Sequence, residues 1–207
     1  PKRAEEFLRL AKTLGDFLEV KIAEAFVISQ QGDKVKALQT LAGIDSDTSR
    51  SARLMIVAHH DGSDNAIKWA HDVGYTVGEL DSDGKSILLT HQLELGRWDE
   101  VTLTVGAFSD NDFDETPVLH HLAGLATLVT TVPQDFRAHV LTQVPFEARE
   151  FPLAADAVAM DARRAAHKYF LNAVEAATQL GCPRTARTDD EYALWLELRD
   201  PVQTMHG

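Results

Sequence analysis

Cysteine is almost missing from this chain. Cys182 stands alone, so no intrachain disulfide and no multi-thiolate metal site can form. A single thiol accords with a reducing compartment. Next to Pro183, with no base close by in sequence, it reads as inert. Positive charge is also scarce: 20 Lys and Arg stand against 32 Asp and Glu, a net charge of −12. A chain this acidic, with no basic cluster, is poorly suited to phosphate backbones or anionic membranes and better suited to neutral or basic partners. The same charge also keeps a protein soluble. Long apolar runs are lacking as well. No stretch reaches membrane-spanning length, and Pro1-Lys2-Arg3-Ala4-Glu5-Glu6 has no secretory-signal core. From these absences we expect a cytoplasmic protein with no membrane anchor and no nucleic-acid role. The numbered chain begins at Pro1 rather than Met: either the Met was removed or this is a piece of a longer protein, and the repeat pattern below favours the second.

What is present is helix. The apolar fraction of 44% and charged fraction of 25% are those of an ordinary globular chain, and 207 residues can bury a substantial core. Residues 4–14 carry apolar side chains at a spacing near 3.6 and stop at Gly15. Asp16 can cap a second helix through Phe17, Val20, Ile22, Ala25, Phe26 and Ile28, and a third runs from Val35 to Gly43. Asp45-Ser46-Asp47-Thr48-Ser49 supplies a loop and a cap. Helices are expected at roughly 50–60, 64–73, 84–95, 98–107, 117–131 and 134–143, with Thr116-Pro117 a strong start signal.

One kind of turn recurs. Leu93-Glu94-Leu95-Gly96-Arg97-Trp98-Asp99-Glu100-Val101 passes from an apolar helix end through Gly into an acidic helix start. Gln31-Gly32-Asp33-Lys34-Val35-Lys36-Ala37-Leu38 and Asp61-Gly62-Ser63-Asp64-Asn65-Ala66-Ile67 repeat the pattern. Aligned on the small residue that follows each turn, Ala4, Ala37, Ala66, Val101 and Ala138 are 33, 29, 35 and 37 residues apart. Four and seven residues later come Leu8 and Ala11, Leu41 and Ile44, Ala70 and Val73, then Val105 and Phe108. The fifth unit departs, with Thr142 and Pro145.

This pattern resembles the tetratricopeptide repeat, a helix hairpin of about 34 residues. The resemblance covers roughly residues 1–146 and rests on the turn Gly and the small second-helix residue. The first-helix aromatic and the closing Pro of that repeat are mostly missing. The resemblance implies an all-α, right-handed solenoid of helix hairpins, its first repeat truncated. The competing architecture is an irregular helical bundle. Residues 147–207 form a second region, an Ala-rich helical cap: one long helix over 153–180, or two broken near Asp161, ended by Gly181-Cys182-Pro183. A last helix follows from Asp189 to Leu198, closed by Asp200-Pro201.

The His residues are the place to look for chemistry. His59-His60-Asp61 and His71-Asp72 resemble the dyad of the helical HD-type metal-dependent phosphohydrolases, in which His and Asp ligands hold a divalent ion. That resemblance implies a metal site from His59, His60, His71 and Asp72, although Tyr75 replaces a Lys that often follows the dyad. His120 and His121 point about 100° apart on a helix, which argues against their sharing one ion. Gly84-Lys85-Ser86 lacks the upstream Gly of a phosphate loop. Asp110-Asn111-Asp112-Phe113-Asp114 alternates like a calcium loop, yet Glu115 occupies its Gly position; a solvated loop is expected.

If the repeats hold, ligands meet the concave face made by the first helix of each hairpin. Counting back from the turns places Phe26, Gln30, His59, His60, Thr90, Glu94 and Thr127 there. Lys, Asn and Arg of the kind that clamp a terminal carboxylate are missing, so a neutral or basic peptide fits better than an acidic one. We therefore expect a noncatalytic protein-interaction module without cofactor, a regulatory or sensor segment of a larger intracellular protein. The alternatives are the phosphohydrolase and a homodimer formed through the Ala-rich helix.

Overall fold

A computed structural model describes residues 6, 8–11, 13, 15, 17–134, 137 and 157–197. The protein is all-α, with no strand among the described residues, and none of the helices there is long and apolar enough to cross a membrane. The chain divides into two compact units, Pro1–His91 and Gln92–Gly207. The boundary expected at residues 146 and 147, the helix over 134–143, Thr142 and Pro145, Ala4, Ala138, Asp16 and the Asp200-Pro201 closure lie outside the described residues.

The first unit is built from helix hairpins. Helix α1 (Leu18–Gln30) carries Glu19 in its first turn, where an acid complements the helix dipole. It ends when Gly32 turns left-handed, at φ 93°. The Gly32 N–H then donates to the Ser29 carbonyl at 2.9 Å and the Asp33 N–H to that of Ile28 at 3.3 Å, satisfying carbonyls the helix leaves open. The Asp33 carboxylate accepts from the Lys36 N–H at 3.0 Å and so starts α2 (Lys34–Thr40). Ser46 caps α3 (Asp47–Asp61) by accepting from the Ser49 N–H. Gly62 alone joins α3 to α4 (Ser63–Asp72), again with positive φ, 83°. A short 3-10 turn at Val77–Glu79, closed by a reciprocal Thr76–Glu79 cap, leads into α5 (Ser82–Glu94).

Neighbouring helices pack in sequence order: α1 on α2 and α3, α2 on α3, α3 on α4. Ala37 and Ala66 are fully buried, as the small second-helix positions require for close approach. They lie in two clusters. Ala25, Ile28, Leu41, Ala52 and Ile56 surround Ala37, while Leu54, Val57, Ile67, Ala70, Leu80 and Leu88 surround Ala66. Four residues on from these anchors, Leu41 and Ala70 are buried; seven on, Ile44 is half-buried and Val73 is exposed. Arg53 fastens the joint between the hairpins. Its guanidinium donates to the carbonyls of Leu41 and Ile44, which close α2, and to the Tyr75 hydroxyl at 2.9 Å.

The second unit opens with the third Gly turn, where Gly96 has φ 67° and the Arg97 N–H donates to the Gln92 carbonyl at 2.9 Å. Helix α6 (Trp98–Gly106) follows, with Val101 fully buried. Residues 110–115, expected as a loop, form a short helix, α7 (Asp110–Glu115). The cause is a capping box: Ser109 accepts from the Asp112 N–H, and the Asp112 carboxylate accepts from the Ser109 N–H at 2.7 Å. Helix α8 (Val118–Val129) runs from Thr116-Pro117 as expected.

The Ala-rich helix α9 (Ala157–Gln179) passes Asp161 without a break. Gly181 ends it, and α10 (Pro183–Glu197) begins six residues earlier than Asp189. Pro at the first helical position loses only an N–H that had no partner, so Pro183 starts the second helix as well as barring the first. α9 packs on α8 and α10, and α6 and α7 pack on α8. Leu125, Leu128, Val129, Ala166, Phe170, Tyr192 and Leu196 form the core, with Trp98 against it.

Candidate functional site

The residues expected on a concave face are found in both units. In the first, Phe26 is half-buried against the core around Ala37, and Gln30 is exposed at the end of α1. His60 reaches back to α1: its Nε2 lies 3.0 Å from Ser29 Oγ. The His59 ring stands edge-on to His60 at 5.1 Å and is exposed. The Thr90 hydroxyl donates to the Ser86 carbonyl of its own helix at 2.8 Å. His71 and Asp72 sit at the exposed end of α4. Among the described residues no three His, Cys, Asp or Glu side chains gather closely enough to hold an ion, and that includes His59, His60, His71 and Asp72. In the second unit Glu94 is exposed at the close of α5, and Thr127 is half-buried on α8.

Two adjoining cavities of the second unit hold residues that the sequence did not single out for binding. The larger, a cleft of about 730 Å³, lies between α7, the start of α8 and one side of α9. The capping box aims it. With Asp112 turned inward and 5% exposed, the next residue, Phe113, faces α8 and α9. Its ring stacks on His120 at 4.6 Å and leans on Tyr169 at 5.6 Å, with Phe108 edge-on at 5.7 Å. Around this aromatic surface stand Asp110, Asp114 and Glu175, with Lys168 as the one cation among the described residues that line the cleft. Burial holds the His120 pKa below the ordinary histidine value, with Asp114 pulling the other way. Burial pushes the Tyr169 hydroxyl up. Both rings therefore stay uncharged at neutral pH, and the charge of the cleft comes from its three carboxylates and Lys168.

The smaller cavity, about 210 Å³, lies beside it; Pro117 and Ala176 line both. Its walls are Val118, Ala173, Ala177 and Leu180, with His121, Cys182, Thr185 and Asp189 as polar members. His120 and His121 diverge as neighbours on a helix must, and each serves a different cavity. His121 Nδ1 lies 2.5 Å from Asp189 Oδ1, and the Asp189 side chain is fully buried. Its other oxygen, Oδ2, is buried with no hydrogen-bond partner among the described residues. A buried acceptor left open costs about 1–3 kcal/mol, more when charged. Asp189 also acts on Tyr192, one turn along α10. Burial first, and this carboxylate second, push the Tyr192 hydroxyl up to about 12.

No protein-family model, curated protein or solved structure matches the chain. The function must be argued from the geometry.

Cys182 is exposed, with its thiol 3.9 Å from the Leu180 carbonyl rather than on an imidazole. The cleft combines a flat aromatic surface with acids, which suits a cationic or neutral ligand. Sequence reading missed it because α7, α8 and α9 are brought together by folding alone. The one local signal was the Ser109–Asp112 spacing of a capping box.

Proposed function

We propose that this chain is a noncatalytic interaction module, a right-handed array of tetratricopeptide-like hairpins that binds a basic peptide segment of a protein partner. Support for the repeat architecture comes from three turns of one design. Each turns through a left-handed Gly, at 32, 62 and 96, and each buries a small residue, Ala37, Ala66 or Val101, completely. A stack of such units presents extended grooves without needing catalytic groups. A regulatory or sensor role in a larger intracellular protein is the setting this design suits.

The observation that carries the binding reading is the acid-rimmed aromatic cleft of Phe113, His120 and Tyr169. Aromatic rings give binding area at small entropic cost, and Asp110, Asp114 and Glu175 select for positive charge. Fluorescence polarisation with a short labelled peptide of alternating Ala and Lys, and an Ala–Glu counterpart, tests it. The Lys peptide binds saturably and the Glu peptide does not. Joint replacement Phe113→Ala and Tyr169→Ala, which leaves the net charge alone, weakens binding about tenfold or more. Glu19→Gln, an exposed charge change in the first unit, leaves it within about twofold. Equal binding by the aromatic double variant would show that the acidic surface as a whole, and not this cleft, attracts the peptide.

A further inference from the structure

The smaller cavity has a specific chemical vacancy. Asp189 lines it and is wholly buried, yet one of its two oxygens has no partner among the described residues, while the other is held by His121. The surrounding wall is aliphatic, from Val118, Ala173, Ala177 and Leu180, and no Lys or Arg among the described residues lines it. An apolar-walled cavity with a buried carboxylate, one oxygen of it held by His121 and the other open, matches one kind of group: an alkyl chain that ends in a cation. Methylenes fill the wall and the cationic head donates to the open oxygen. At about 210 Å³, the cavity is below the ~300–1,000 Å³ of pockets for drug-sized ligands, so it suits a single side chain.

We infer that the His121–Asp189 pocket is a specificity pocket for one Lys or Arg side chain of the bound partner. This rests on the peptide reading of the adjoining cleft. Since Pro117 and Ala176 line both cavities, a peptide lying in the cleft can send one side chain across that wall. His121 holds Oδ1 from one side, so Oδ2 is the oxygen left for the ligand. The acids of the cleft then attract the peptide, and Asp189 decides which residue of it enters.

The test separates the pocket from the cleft by using probes too small to span both. The full chain, ¹⁵N-labelled, is titrated with n-butylammonium, n-butylguanidinium and n-butanol, and amide shifts are followed. Either cation, or both, shifts amides around His121, Ala173, Ala177 and Asp189 saturably, and binds about tenfold or more tighter than butanol, the margin of a charged over a neutral hydrogen bond. Asp189→Asn erases the difference between cation and alcohol. Should that buried substitution unfold the protein, Thr185→Trp provides the second variant: it closes the mouth from an exposed position and abolishes both sets of shifts with the spectrum otherwise intact. Butanol binding as well as the cations, or no saturable shift in this region, overturns the inference. If the Ala–Lys peptide still binds in that case, the pocket has failed and the cleft stands. If the cations bind the pocket while the peptide binds nowhere, the pocket stands as a cation site and the peptide reading fails.

Discussion

Gly124 on α8 and Phe170 on α9 touch so closely that a Cβ built on Gly124 would come within 2.8 Å of the Phe170 ring. Phe170 cannot easily yield, since it is fully buried and stacked on Tyr192 at 4.7 Å. Gly124→Ala gains roughly 1 kcal/mol of helix propensity but forces an overpacked core, at a cost of about 1–3 kcal/mol. We expect net destabilisation of about 1 kcal/mol, and more for Gly124→Val, read as a lower urea midpoint with unchanged slope.

Two glycines, one in a turn and one at a helix end, give opposite outcomes. Gly32 has φ 93° with nothing near its missing Cβ, so Gly32→Ala meets only backbone strain, a loss of about 1–2 kcal/mol. Gly106, at the exposed end of α6, has no positive φ and open space around it. Gly106→Ala should leave stability unchanged or raise it by up to about 0.5 kcal/mol. Paired thermal melts of the two variants check this.

His120 makes stability fall on the acid side. Burial lowers its folded pKa below 6.5, so between those two values the unfolded chain holds a proton that the folded chain does not. The contribution is complete above the unfolded value and is lost as pH falls through the window. An NMR titration should find His120 below 6.5. Asp114→Asn, which removes the group that raises it, should push it lower still.

At the alkaline end Tyr192 does the reverse. Its hydroxyl keeps its proton to about 12 in the folded state against 10.0 unfolded, so stability is complete below 10 and declines as pH climbs toward 12. The loss amounts to roughly 2–3 kcal/mol. Phenolate absorbance should show one tyrosine titrating late, and Tyr192→Phe should remove that step and flatten the alkaline decline.

The local features of this fold could be read from the chain. Gly32, Gly62 and Gly96 mark turns because a left-handed bend selects for Gly, and Ala37, Ala66 and Val101 mark contacts because only small residues let helices approach. Where two local signals compete, reading fails. The alternating acids of residues 110–114 look like a solvated loop, although Ser109 and Asp112 together close a helix start. Pro183 reads as a stop for the helix before it, yet it is also the first residue of the next helix. The site was least legible: Asp189 is 68 residues from His121, and no periodicity links them. That His120 and His121 diverge could be foreseen; that each opens on its own cavity could not.

Gly62 alone spans from α3 to α4. An elbow this short has no slack, so an extra residue there would have to be absorbed by swinging α4 through about 100°. That would bring the exposed Asn65 to where Ala66 now faces the core and turn Ile67 out to where Lys68 is exposed. The step from Asp61 to Ser63 is thus a fixed ruler, the place from which to lay any distant cousin of this chain alongside it.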